Sequence, residues 1–236
     1  MKKTLVYTAT FIVIIMIGVG LVSWNQNKNA TSDETEKMIA LGDSLTYGIG
    51  DESGHGYVEN LENLLKENKD ADIKVENYGI PDQQTDGLLK QVNQTDVKSD
   101  LGNADYFILF IGTNDLIESN GGDLAEINEG KIEAGKSDYE QNLEKILGII
   151  REENEDAPIL FLGLYNPYPD SKEIEEEVVE WNDKSQSIVN NFERIKFIST
   201  NDLFKEKSTE YFSDALHPNK KGYDLITEKI VEEYDF

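Results

Sequence analysis

From residue 37 onward the chain alternates short apolar runs with longer stretches in which Leu, Ile and Val recur at three- and four-residue spacings. The apolar runs fall at residues 38–41, 73–75, 106–111, 159–164 and 195–198. The central ones, Phe107-Ile108-Leu109-Phe110-Ile111 and Ile159-Leu160-Phe161-Leu162, have no polar position at all. Unbroken apolar runs of that length predict strands covered on both faces. Between them, residues 57–67, 86–101, 137–153 and 173–192 carry the helical period, and a last helix is predicted from about 219 to 233. Ser137-Asp138-Tyr139-Glu140 has the pattern of a capping box and predicts a helix start there. Five strands alternating with helices predict an α/β fold with a five-stranded parallel sheet. No internal repeat and no second globular domain are visible, so residues 37–236 are expected to form one domain.

Two polar stretches interrupt this pattern. Residues 118–135, rich in Gly, Asn, Glu and Asp, read as a mobile loop after a strand end, without a metal-ligand spacing. Glu173-Ile174-Glu175-Glu176-Glu177 reads as a solvated helix face.

The beginning of the chain has a different character. Lys2 and Lys3 precede an uncharged run of 21 residues, 4–24. At 1.5 Å per residue it reaches about 31 Å, enough to cross a bilayer's hydrocarbon core. It reads as an uncleaved transmembrane anchor or, second, as a cleavable signal helix. Leu21-Val22-Ser23 makes a poor cleavage site, which favours the anchor. Either way the lysines stay inside and the remainder is exported. Residues 25–37 are polar and read as a flexible stalk, so 1–36 forms an anchor-or-signal segment with its stalk.

Charge and composition narrow the partners. The chain has 47 acidic and 22 basic residues, a net charge of −25. Nucleic acid is therefore not expected as a partner, and contact with a membrane is expected only through the N-terminal helix. The 236 residues include no cysteine, which excludes disulfides, thiolate metal sites and cysteine nucleophiles. With two distant histidines and no ligand motif, no metal and no other cofactor is expected.

Polar residues cluster where the predicted strands end. Gly42-Asp43-Ser44 follows the first, Asn77-Tyr78-Gly79 the second and Gly112-Thr113-Asn114-Asp115 the third, while Asp214-Ala215-Leu216-His217-Pro218 precedes the last helix. In this order and spacing the four stretches resemble the motif blocks of the SGNH hydrolases, the GDSL esterase/lipase family, with no departure at the motif positions. The resemblance spans residues 37–236. It implies a flavodoxin-like three-layer α/β/α sandwich, with Ser44 as nucleophile, His217 as general base and Asp214 as the group that orients it. It also implies an oxyanion hole made by the N–H of Ser44 with Gly79 and Asn114.

The chemistry of these residue types agrees. A serine hydroxyl needs a neighbouring base, and only His55 and His217 offer imidazoles. Asp214 and His217 are three residues apart around a turn, a spacing that can bring carboxylate and ring together. His55, in Ser53-Gly54-His55-Gly56-Tyr57, reads either as a substrate contact at the crevice rim or as a locally bonded loop histidine. Tyr165, in the 165–169 stretch after the fourth strand, is expected to wall the site and touch substrate. Asp43 and Asp115 are expected to hold their loops through backbone hydrogen bonds. The chain thus reads as an exported, membrane-tethered serine esterase acting on a small-molecule, lipid or glycan acyl ester. The alternative is a carbohydrate or cell-wall O-acetyl esterase. A non-catalytic surface-binding module is the third reading, and the complete set of Ser44, Asp214 and His217 weighs against it.

Overall fold

The computed structural model describes residues 35–68, 72–205 and 210–236. The run at 4–24, with its expected anchor or signal helix, lies outside the described residues. Among those described, no helix is long and apolar enough to cross a membrane.

Five strands, β1 (Glu36–Gly42), β2 (Ile73–Gly79), β3 (Tyr106–Phe110), β4 (Ile159–Leu162) and β5 (Ile195–Ile198), form one sheet in the order β2-β1-β3-β4-β5. All four pairings are parallel. This is the doubly wound order in which the chain moves outward from β1 to β2, then returns to the other side of β1. In sheets of this order the reversal, here beyond the carboxyl ends of β1, β2 and β3, is where ligands bind. Residues 38–41 of β1, 107–110 of β3 and all of β4 are buried, whereas β2 and β5 carry exposed Lys74 and Lys196. Burial on both faces explains the unbroken apolar runs of the inner strands, and charge on the outer ones suits sheet edges.

Eight helices are described: α1 (Ser44–Tyr47), α2 (Gly56–Asn68), α3 (Thr85–Val92), α4 (Thr95–Leu101), α5 (Thr113–Asn120), α6 (Glu129–Glu153), α7 (Lys172–Val189) and α8 (Lys220–Glu233). Helix α2 packs against α8, and α6 packs against α3, α4, α5 and α7. A 3-10 turn spans Asn201–Phe204.

Two parts of the helical pattern differ from expectation. The predicted helix at 86–101 is two helices, α3 and α4, because Asn93 turns its amide onto the Leu89 carbonyl and Gln94 is extended. The expected loop at 118–135 is largely helical: α6 starts at Glu129 rather than at Ser137, capped by the Asn128 side chain on the Lys131 N–H. Ile132 is buried about two turns before Tyr139 and continues its apolar stripe. Gly135 has a packing reason, since a Cβ there would stand 2.2 Å from the Ser119 Cβ of α5. The loop proper is only residues 121–128.

Candidate active site

Ser44 lies two residues past the end of β1, as the first residue of α1. Asp43 is the N-cap: its Oδ1 accepts the Leu45 N–H at 2.9 Å. Gly42 is in register with Gly79 of β2 and Phe110 of β3. Ser44, the turn after Gly79 and the start of α5 at Thr113 therefore issue from three adjacent strand ends, which lie about 4.8 Å apart.

The fourth block reaches Ser44 from the other side. Residues 211–219 form a hairpin, held by Ser213 N–H to His217 O (2.9 Å), Asn219 N–H to Tyr211 O (2.9 Å) and a bridge between Phe212 and Pro218. Within it, Asp214 Oδ1 accepts the N–H groups of Leu216 (2.8 Å) and His217 (2.7 Å), and Asp214 Oδ2 lies 2.8 Å from His217 Nδ1. Burial alone would raise the Asp214 carboxyl, but the two backbone donors and the imidazole outweigh it and hold the group below its ordinary 3.8. An ionised carboxylate only accepts, so His217 carries its proton on Nδ1. Nε2 is then an acceptor, and the Ser44 hydroxyl lies 3.0 Å from it.

Glycine makes this approach possible. Gly50, at φ +96°, lies directly beneath the hairpin: a Cβ there would stand 2.4 Å from the Pro218 carbonyl oxygen and 2.9 Å from the His217 Cβ. The preceding carbonyl, of Ile49, accepts the Tyr223 hydroxyl of α8 at 2.6 Å. Sequence spacing cannot show this seam between the nucleophile loop and the hairpin.

Asn114, the second residue of α5, donates one amide hydrogen of Nδ2 to Gln83 O at 3.1 Å and retains a second. Its neighbour Asp115 accepts the Thr85 N–H through both oxygens (3.1 and 3.0 Å) and also the Thr85 hydroxyl. This ties the start of α5 to the start of α3. Burial raises the Asp115 carboxyl to about 6 against the lowering effect of those bonds. Asp43 is raised further, to about 7: burial dominates over the Leu45 bond, and Asp115 and Asp82 add negative charge. The expectation that both aspartates hold loops matches these contacts. Gln83 and Thr85 had no signal beyond their place between a strand end and a helix.

Three further candidate residues make local or core contacts. The Gly79 N–H donates to Asn77 Oδ1 at 2.9 Å, and Asn77 Nδ2 donates to Thr46 O at 2.7 Å. His55, at the foot of α2, has Nε2 3.6 Å from Glu59 Oε2 on the same helix, which is the local arrangement. Tyr165 does not wall the crevice as a substrate contact. It is buried among Phe110, Phe204 and Phe212, and its hydroxyl donates to Leu216 O at 2.7 Å. In the Glu173–Glu177 run only part of the face is solvated. Glu175 accepts from Asn166 and Asn201, and Glu177 turns towards Lys136.

Residues 40–225 match the model of the GDSL-like lipase/acylhydrolase family. Among curated proteins, the uncharacterised YpmR of Bacillus subtilis is 30% identical over 203 residues, covering 83% of this chain and 80% of its own. The spore germination lipase LipC of Bacillus licheniformis is 28% identical over 209 residues, covering 83% and 95%. Among solved structures, the lipase Lip_vut3 from a goat rumen metagenome superposes with a TM-score of 0.72 at 27% identity, over 84% of this chain and 97% of its own. An acetylxylan esterase from Geobacillus stearothermophilus shares the fold at 17% identity, with a TM-score of 0.67 over 85% and 94%.

Proposed function

The chain belongs to the GDSL-like lipase/acylhydrolase family and is a serine ester hydrolase, and from that premise we propose a Ser44-His217-Asp214 mechanism working outside the cell. The observation that carries the reading is the unbroken relay from Asp214 Oδ2 through the imidazole to Ser44 Oγ, at 2.8 and 3.0 Å. In the proposed cycle Ser44 Oγ attacks the ester carbonyl carbon while its proton passes to His217 Nε2. The imidazolium, steadied by Asp214, gives that proton to the departing alcohol. A water then attacks the acyl-serine and gives a proton to the same nitrogen; as the acyl–Oγ bond breaks, the imidazolium returns that proton to Ser44 Oγ and the acid departs. Asp214 keeps the ring in the tautomer that leaves Nε2 as acceptor.

The developing oxyanion needs donors aimed at it. We assign the Ser44 N–H and the second Nδ2 hydrogen of Asn114 to that role. Gly79 is the third candidate, and its N–H reaches an oxyanion only by leaving Asn77.

Residues 37–236 are proposed as the hydrolase domain. Export is supported by Lys2 and Lys3 ahead of the 21-residue run at 4–24, and a chain without cysteines is indifferent to the redox state outside. We propose one pass with the N-terminus inside, or secretion if the segment is cleaved. Protease treatment of intact cells should then digest residues 37–236, and protection until lysis would overturn the export reading. The substrate is tested with p-nitrophenyl esters of increasing chain length beside acetylated glycans. Turnover of the synthetic esters supports the general esterase. Turnover confined to acetylated glycans replaces it with the carbohydrate O-acetyl esterase, and no turnover on either, with Ser44 unreactive, leaves the surface-binding module.

A further inference from the structure

The Asp214–His217 pair is built entirely within one hairpin. Both N–H groups on Asp214 Oδ1 and the imidazole on Oδ2 come from residues 216 and 217 of the same turn. The carbonyl of His217 is also held from within, by the N–H and hydroxyl of Ser213 at 2.9 and 3.2 Å. These bonds fix the imidazole relative to its carboxylate. They do not fix the hairpin relative to Ser44, which stands on the sheet.

Tyr165 supplies a link between the two bodies. It follows β4 by three residues, is 4% exposed, and its ring makes edge contacts with Phe110 of β3, Phe204 of the 3-10 turn and Phe212 of the hairpin, at 6.5, 4.8 and 6.0 Å between centroids. From this anchored ring the hydroxyl donates to Leu216 O at 2.7 Å, the peptide oxygen immediately before His217. Burial drives the phenol well above its ordinary 10, so it remains a donor throughout the working range of an esterase. A ring fixed on three sides has little freedom, and its bond reaches the backbone one residue from the base.

We propose that Tyr165 is a positioning residue of the ester hydrolase: a strut from the end of β4 that sets the distance of His217 Nε2 from Ser44 Oγ without taking part in the ionisation of the Asp214–His217 pair. The proposal rests on the Ser44-His217-Asp214 reading. A small displacement of a base from its nucleophile is costly, because the proton must be accepted as the nucleophile attacks.

The test is Tyr165→Phe in the full chain, assayed on p-nitrophenyl acetate across pH. The ring and its edge contacts survive, and only the hydroxyl is lost. The strut predicts a fall in kcat of about 10- to 100-fold, with KM within about twofold and the midpoint of the acid limb unmoved. The inactivation rate by a fluorophosphonate should fall by a similar factor. Ile150→Val, a buried core position of α6 outside this aromatic cluster, should lower Tm and leave kcat within about twofold. Wild-type kcat in Tyr165→Phe overturns the strut. A loss accompanied by a displaced acid limb also overturns it, since Tyr165 would then act on the ionisation of the pair. If Ser44→Ala retains turnover, the mechanism fails first, and that outcome is separate from either result at Tyr165.

Discussion

Asp43 offers a test in which structure, charge and stability must agree. Its carboxylate is 1% exposed, with one oxygen on the Leu45 N–H and the other, Oδ2, without a hydrogen-bond partner among the described residues. Burial, with Asp115 and Asp82 nearby, raises it from 3.8 to about 7 in the folded protein. Between those values the folded chain holds a proton at this site that the unfolded chain has released, so stability falls as pH rises. At about 1.4 kcal/mol per pH unit, the loss from Asp43 between pH 4 and pH 8 is on the order of 4 kcal/mol. Asp43→Asn keeps a cap of equal quality for Leu45 and removes the ionisation. Urea unfolding of both proteins at pH 4.5, 6, 7 and 8, followed by tryptophan fluorescence, should give similar stabilities at the lowest pH. The variant should then become progressively more stable than wild type, by several kcal/mol at pH 8. Curves that stay parallel across this range would refute the reasoning, and so would a wild type that gains on the variant as pH rises.

His217→Ala should cost several orders of magnitude in kcat, and Asp214→Ala somewhat less, because it orients a base that is still present. Steady-state kinetics that reverse this ranking would reassign the two roles. Asn114→Ala should lower kcat by about 10²- to 10³-fold with KM nearly unchanged, since its spare amide hydrogen matters when charge develops on oxygen. A loss confined to KM would instead make Asn114 a ground-state binding residue.

The strands were legible because burial on both faces leaves little sequence freedom. Residues 107–110 and 159–162 admit only apolar side chains, and they are β3 and β4. The residues now in contact around Ser44 were legible for a different reason. Their four blocks resemble the SGNH motifs, and that resemblance carried the roles of Ser44, His217 and Asp214, while residue chemistry alone narrowed the base only to His55 or His217. Sequence was silent where the outcome depends on which way a side chain turns. Tyr165 after a strand end could face the crevice or the core, and the pocket formed by Phe110, Phe204 and Phe212 decides it. The resemblance implied Gly79 as a donor, and its N–H is engaged locally by Asn77 two residues earlier. The start of α6 was misplaced because Gly130 and Gly135 weaken the helical signal of the stretch before Ser137, where a capping-box pattern follows. Packing of Ile132 and the close fit of Gly135 on Ser119 override that weakness.

Everything proposed for the reaction depends on Ser44 being the nucleophile of an intact relay. The direct measurement is peptide mapping by mass spectrometry after treatment with a fluorophosphonate, on wild type and Ser44→Ala in parallel with ester turnover. A single adduct is expected on the peptide carrying Ser44, stoichiometric with loss of activity, and neither adduct nor turnover in a folded Ser44→Ala protein. An adduct on another residue, or near-normal turnover in the alanine variant, would contradict it.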